Sequence, residues 1–393
     1  MPKNKLDITK RAEGISPFHV MNILAQAKAL EAQGRDIIHL EVGEPDFMTP
    51  EPIVEAGIAA LKAGQTHYTP ALGLPKLRQA IADWYQSHYG VSLSAERVVV
   101  TPGASGALLL VMGALLERDK KVLLADPGYP CNRHFAQFVE GQAQSVPVTA
   151  EDGYQLTADS ILKYWDSQTS MALLASPANP TGTVLSRHDL TVLSKAIKDQ
   201  GGHFVVDEIY HGLIYGDVDT TTVLAIDDDA FVVNSFSKFF GMTGWRLGWL
   251  IVPEPYISVM DKLAQNLFLA PPTLSQHAAL AAFEPETLTI LEQRRQLFDQ
   301  RRQTLLSALT ALGLDIKAVP VGAFYIYADC SRFLNAAQPD SMSLSQFWLQ
   351  EAGVAVTPGN DFGEFGAKTH IRFAYTREST RLLEAVERIS ALY

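Results

Sequence analysis

HFVVDEIY, residues 203–210, sets the reading of the whole chain. His203–Val206 is a short, largely apolar, β-prone run, and it ends abruptly in acids. Apolar runs without strict alternation suggest strands covered on both faces, as in a largely parallel sheet. The same unit recurs on either side of this stretch. Arg97–Val100 precedes TPGASG, Lys121–Ala125 precedes DPGYP, and Met171–Ala175 precedes SPANPTG. Ala230–Val233 precedes NSFSK, and Trp249–Val252 precedes PEP. Helical patterns fill several intervals, among them Gly106–Leu116 and Leu190–Gln200, and that alternation is α/β. In open α/β sheets the ligand lies beyond the carboxyl ends of the strands. The polar, Gly-rich segments of this chain fall there.

The pattern changes after about Phe283. Pro285–Leu312 reads as one long helix stopped by Gly313. A strand at 322–329, a helix near Leu344–Glu351, a strand at 370–376 and a closing helix from Glu378 follow, an α+β arrangement. A helix around Asn22–Gln33 is expected to pack with them. The expected organisation is an N-terminal arm contributing to the small domain (1–46), a large domain (47–283) and a small C-terminal domain (284–393).

The bulk properties fit this. A chain of 393 residues exceeds what one core normally holds. It carries 32 Lys and Arg against 43 Asp and Glu, a formal charge of −11, and no basic tract. Nucleic acid and anionic membranes are therefore poor partners. The strongest apolar stretch, Gly106–Leu116, is far short of the ~20 residues a bilayer span needs. The opening MPKNKLDITKRAEG has no apolar core of a signal peptide. Cys131 and Cys330 offer neither a disulfide framework nor a zinc spacing. A cytoplasmic enzyme is expected, and the ten histidines show no metal-binding spacing.

Several segments carry chemistry. In SFSKFFGMTGWRLGW (235–249), Lys238 follows a strand within a Ser/Gly-rich loop, with Arg246 eight residues on. A lone lysine is usually a solvated surface group. One partly desolvated among cations has a lowered pKa, so its neutral amine can form a Schiff base with a carbonyl. Ser235, Ser237 and Arg246 would suit an oxyanion, the arginine clamping a phosphate bidentately. Asp207 falls at a sheet edge, where a carboxylate is costly unless paired. It is either a turn cap or the partner of a protonated heteroaromatic nitrogen, with the Tyr210 phenol able to reach another atom of that ring. TPGASG opening a helix supplies free N–H groups and Ser105 for an anion. SPANPTG alone is a turn. Tyr129 is a core aromatic or a stacking platform.

Taken together, SFSKFFGMTGWRLGW, SPANPTG, VVDEIY, TPGASGAL, HYTPALGLPKLRQAIA (67–82), VGEPDF (42–47) and HIRFAYT (370–376) resemble the class I/II aminotransferases, which use pyridoxal 5′-phosphate (PLP). The motifs run in the family's order over nearly the whole chain. The resemblance implies fold type I, a large domain with a mostly parallel sheet flanked by helices plus a smaller α+β domain. It implies that Lys238 holds PLP as an imine and shuttles the proton between substrate Cα and the cofactor. Asp207 would keep the pyridine nitrogen protonated, and Tyr210 and Asn179 would donate to the ring's phenolic oxygen. Gly103, Ala104, Ser105, Ser235 and Arg246 would form the phosphate cup, with Ser237 beside it, and Tyr129 would stack on the ring. Tyr68 would reach the phosphate of a neighbouring subunit, so a homodimer with shared sites is implied. Arg372 would grip the substrate α-carboxylate, with a second contact from the backbone near Gly43. A charge in the apolar strand HIRFAYT also requires a partner on physical grounds, and a carboxylate suits it.

The implied reaction is ping-pong transfer of an amino group from an L-amino acid to a 2-oxo acid. Some aspartate-using relatives carry a lysine where this chain has Ser105, so a neutral or aromatic donor is favoured, with 2-oxoglutarate or pyruvate as acceptor. Phe18, Tyr129, Phe324 and Tyr325 are candidates for an apolar side-chain pocket. Asn360, Asp361 and Ala374 depart from the family's usual small residues or serine. Two rivals stand beside this reading. One is a PLP-dependent lyase or synthase on the same scaffold, a carbon–sulfur β-lyase or an enzyme resembling aminocyclopropane-carboxylate synthase. The other is the PLP-binding module of a transcriptional regulator, for which the segment before VGEPDF is too short and not basic.

Overall fold

The computed structural model describes residues 8–393, and residues 1–7 of the expected N-terminal arm and leader reading lie outside the described residues. Seven strands form the main sheet: β1 (Val98–Thr101), β2 (Lys121–Asp126), β3 (Gln142–Pro147), β4 (Thr169–Ala175), β5 (His203–Asp207), β6 (Phe231–Ser235) and β7 (Gly248–Ile251). Their order is β1-β7-β6-β5-β4-β2-β3. Six run in one direction, and β7 is antiparallel to both of its neighbours. The reversal follows from chain length. The link from β6 to β7, residues 236–247, lacks a long crossover helix, so the chain returns beside the strand it left.

Successive strand residues face opposite sides, and both sides are covered. Leu123, Leu174, Val206 and Val232 face a core shared with α3 (Arg187–Asp199) through Leu190, Leu193 and Ile197. Val122, Leu173, Val205 and Val233 face a core shared with α2 (Gly103–Leu115) through Ala107, Leu108, Val111 and Leu115. Burial on two faces is why these strands read as continuous apolar runs. β3 was not legible that way, because QAQSVP is an edge strand whose positions are mostly half-buried or exposed.

A three-stranded antiparallel sheet adds Tyr325–Asp329 (β8), Thr357–Pro358 (β9) and His370–Ala374 (β10), in the order β9-β10-β8. Its core includes Phe324, Ile326, Trp348, Ile371 and Phe373, joined by Ile38, Leu40 and Phe298. The helix α4 runs Pro285–Leu312 and ends on Gly313 at φ 98°, a left-handed cap that glycine adopts without a Cβ clash. The helix α1, His19–Glu31, begins three residues before the stretch expected for it, and α5, Ser379–Ser390, closes the chain. Between them Ile38–His39 pairs in parallel with Val354–Ala355, tying the N-terminal segment to the later sheet.

Candidate active site

The carboxyl ends of β1, β2, β4, β5 and β6 open on one cavity of about 570 Å³. It brings together Gly43, Ala104, Ser105, Tyr129, Asn179, Asp207, Tyr210, Ser235, Ser237, Lys238, Arg246 and Arg372. Of the residues singled out in the sequence, Gly103 sits just behind this wall and Tyr68 lies away from it.

Asp207 ends β5, the middle strand of seven, so the edge it occupies is the carboxyl-terminal one rather than a flank of the sheet. Its Oδ1 accepts the Ile209 N–H at 3.0 Å, and the side chain is otherwise walled in. Burial pushes its pKa up to about 7, against the pull of the Ile209 N–H and of Lys238. Such a carboxyl group becomes a stable anion only when a cationic donor faces it.

Lys238 follows β6 and reaches back across the cavity, where its amine donates to the Gly43 carbonyl at 2.6 Å. Desolvation lowers its pKa to about 8, and the positive Arg372 and Arg246 push the same way while Glu44 and Asp207 oppose. A sizeable neutral fraction at neutral to mildly basic pH makes the amine a nucleophile. A Cβ on residue 43 would fall 1.8 Å from the Tyr325 hydroxyl, so glycine is required for the carbonyl to stand there.

At the other end, α2 begins at Gly103, and its first N–H groups lack partners within the helix. Gly103 lies at φ +71°, and a Cβ there would come 2.7 Å from Arg246 Nη2. Arg246 itself adopts φ 53°, a left-handed backbone uncommon for a side-chain-bearing residue, and Nη1 is held by the Thr243 carbonyl at 3.1 Å. The Ser235 hydroxyl accepts the Ser237 N–H at 2.9 Å and donates to the Leu247 carbonyl. Helix terminus, serines and arginine together form a cradle for a dianion such as a phosphate ester.

Arg372 stands in β10, nearly fully buried. Nη1 donates to Asn179 Oδ1 at 2.8 Å, and Nη2 donates to the Glu41 carbonyl and to Thr357 Oγ1. The guanidinium lies over the rings of Tyr325 and Phe362, 4.2 and 4.9 Å from their centroids. Its Nε has no partner among the described residues. A cation held by neutral groups in a buried place is set to receive an anion.

Some participants were not legible in advance. The Tyr210 hydroxyl bonds the Tyr325 hydroxyl at 2.8 Å, and burial raises the Tyr210 phenol well above its ordinary pKa. The sequence marks Tyr325 only as a candidate for the apolar side-chain pocket. Thr243 and Glu44 line the cavity too. Thr243 lies between Lys238 and Arg246 in FFGMTGWR, which was the available signal. Phe18 and Tyr129 meet edge to face at 6.4 Å and line the cavity mouth with Val20 and Met21. Phe324 turns into the later core beside Phe298 instead. Asp361 accepts the N–H groups of His19 and Val20 and so caps α1, while Asn360 bonds Ser341.

Fold and cavity define an α/β protein in which an amine, a carboxyl group and an arginine converge beside an anion cradle. The sequence model of the family described as aminotransferase class I and II matches residues 35–389. The valine–pyruvate aminotransferase of Mycobacterium tuberculosis is 36% identical over 379 residues, covering 96% of each chain. The aspartate/prephenate aminotransferase of Thermus thermophilus is 33% identical, covering 98% of each. The crystal structure of an aminotransferase from Mycobacterium tuberculosis superposes with a TM-score of 0.94 at 36% identity, over 98% of both chains. The chain belongs to the class I and II aminotransferases, enzymes of fold type I.

Proposed function

We propose that this aminotransferase uses PLP bound through Lys238, moves the amino group of a neutral or aromatic L-amino acid to a 2-oxo acid, and works by a ping-pong mechanism. The observation that carries this reading is the recessed Lys238 amine, shifted to about 8, in one cavity with Asp207 and Arg372. The residues fit the cofactor on their own chemistry. Among the described residues the buried Asp207 carboxyl group lacks the cationic donor that a pyridinium would provide, and the Gly103–Ser105 cradle would close up against Arg246 if a Cβ were added at Gly103. When bound, PLP supplies an electron sink for negative charge at the substrate Cα.

The protein's own groups do the rest. Asp207 would hold a proton on the ring nitrogen, which would keep that sink open. Asn179 and Tyr210 would donate to the ring's phenolic oxygen, Tyr129 would stack on the ring, and Ser105, Ser235, Ser237 and Arg246 would hold the phosphate together with the backbone of Gly103 and Ala104. The Lys238 amine would hold the cofactor and, when free, would serve as the base that takes the proton from the substrate Cα and as the acid that gives it back. Arg372 and the backbone near Gly43 bind the α-carboxylate and so orient the Cα–H bond toward that amine.

The donor preference is supported by the walls. Phe18, Val20, Met21, Leu108, Tyr129 and Tyr325 face the cavity, and the lining cations are Lys238, Arg246 and Arg372. A relative 36% identical is named a valine–pyruvate aminotransferase, which points the same way, and the proposed acceptor is pyruvate or 2-oxoglutarate. A homodimer with shared sites belongs to the proposal, as do the boundaries at 47 and 284. Tyr68 is 83% exposed on this protomer, which suits a side chain that completes a partner's phosphate cup.

The test is a half-reaction screen. Each amino acid is added alone to the pure holoenzyme, and loss of the lysine-bound cofactor's visible absorbance is followed. Rapid loss with leucine, valine, methionine or phenylalanine is expected. A response confined to aspartate and glutamate would overturn the substrate class.

A further inference from the structure

A histidine and two acids lie behind the arginine and have no part in the reaction above. From Ile38–His39 the chain runs straight into the site. The Leu40 N–H donates to the Ala355 carbonyl at 2.9 Å, and the Ala374 N–H donates to the Leu40 carbonyl at 2.8 Å. The next carbonyl, that of Glu41, accepts Arg372 Nη2 and also the Thr357 hydroxyl.

The Glu41 side chain is 0% exposed. One carboxylate oxygen is 2.7 Å from His39 Nδ1, and the other has no partner among the described residues. His39 Nε2 is 3.0 Å from Glu31, the last residue of α1, which also takes the Lys28 ammonium. The Arg377 side chain reaches the His39 carbonyl. Glu41, opposed in part by burial, raises the His39 pKa. A buried carboxylate is tolerated only when paired. His39 is that pair, and it bridges two elements of the cavity, since the opposite end of α1 supplies Val20 and Met21 to the mouth.

We propose that His39 is a positioning residue for substrate carboxylate binding: it neutralises the buried Glu41 side chain, thereby holds the Glu41 carbonyl against Arg372, and ties that contact through Glu31 to the helix at the cavity mouth. This rests on Arg372 being the group that binds the substrate carboxylate. Without the imidazole, the Glu41 carboxylate must find water or another donor, and its own carbonyl turns with it.

The experiment compares the holoenzyme with His39→Ala, His39→Gln, His39→Ala/Glu41→Gln and Arg372→Ala. It reads KM and kcat for the best donor and acceptor, the affinity for two unreactive carboxylates (maleate and 3-phenylpropionate) by calorimetry, and the melting temperature. In His39→Ala, KM for both substrates and the carboxylate Kd should rise about tenfold, the equivalent of ~1.4 kcal/mol, with kcat nearly constant. His39→Gln, which keeps a donor toward Glu41, should rise less and remains informative if the alanine protein does not fold. Removing the charge as well, in His39→Ala/Glu41→Gln, should restore most of the affinity. Unchanged KM in the His39 variants, a fall confined to kcat, or a double variant no better than the single would overturn the proposal. If Arg372→Ala binds the carboxylates as the parent does, the reading of Arg372 fails first. If Arg372→Ala loses them while the His39 variants keep them, only the role of His39 falls.

Discussion

At the scale of single residues the cavity is a set of groups held away from their ordinary protonation. Asp207 and its neighbour Glu208 are both raised by burial, to about 7 and about 8. In cofactor-free protein each binds a proton that the unfolded chain has already released, from pH 3.8 or 4.5 upward. Native proton excess means that stability falls as pH rises. The melting temperature of cofactor-free protein should therefore drop between pH 5 and 7, and Asp207→Asn should remove its share of the slope, leaving that of Glu208. Identical slopes in the two proteins would contradict the buried, unpaired Asp207. Lys238 works in the opposite sense. Its depressed value gives the unfolded chain the extra proton between about 8 and 10.5, so its contribution grows with pH there. Asp207 and Lys238 were legible in the sequence because one closes a strand and the other follows one, and Arg246 because it stands in the same local motif as Lys238. The Arg372–Asn179 contact spans 193 positions and the Tyr210–Tyr325 contact 115, so neither had a local signal.

Among the elements, α1 links the cavity mouth to the rest of the molecule. Asp361 accepts the N–H groups of His19 and Val20 at 2.9 and 3.2 Å, which satisfies part of the helix's unpaired first turn and complements its dipole. The acid at 361, read in the sequence only as a departure from the family's usual residue, has its reason in this cap. Asp361→Ala should lower stability by about 1 kcal/mol, the usual loss for an N-terminal cap. It should also raise KM more than it lowers kcat, because Val20 and Met21 lose their fixed place. Steady-state kinetics with thermal melts check both, and an unchanged KM would separate the cap from the pocket. Strand positions were legible wherever two faces are buried, as in β4, β5 and β6. The edge strand β3 was not, since solvent on one side erased its apolar signature. The long helix α4 was legible to the residue, because a proline opens it and a left-handed glycine closes it.

For the whole molecule, the cavity is built where five strands of the main sheet end together, and the arginine comes from a different sheet. Arg372 in β10 meets Asn179 beyond β4, so the two sheets must stay in register for one substrate to touch both. The α/β order was readable from the repeated strand–loop unit. The way β10 carries its charge over Tyr325 and Phe362 was not, because it depends on packing between distant segments. If Tyr68 completes a partner's cup, a mixture of Lys238→Ala and Tyr68→Ala chains reassembled together should regain activity that neither protein has alone. One site of each mixed dimer then holds both an intact lysine and an intact tyrosine. No gain on mixing would place Tyr68 outside the partner's site.

The most direct measurement is chemical. Holoenzyme is treated with borohydride to fix the cofactor on the amine that holds it, digested, and the labelled peptide is sequenced by mass spectrometry. The expected label falls on Lys238 and is absent from the Lys238→Ala protein, which should also be inactive. A label on any other lysine, or none on an enzyme that still transfers amino groups, would contradict the assignment.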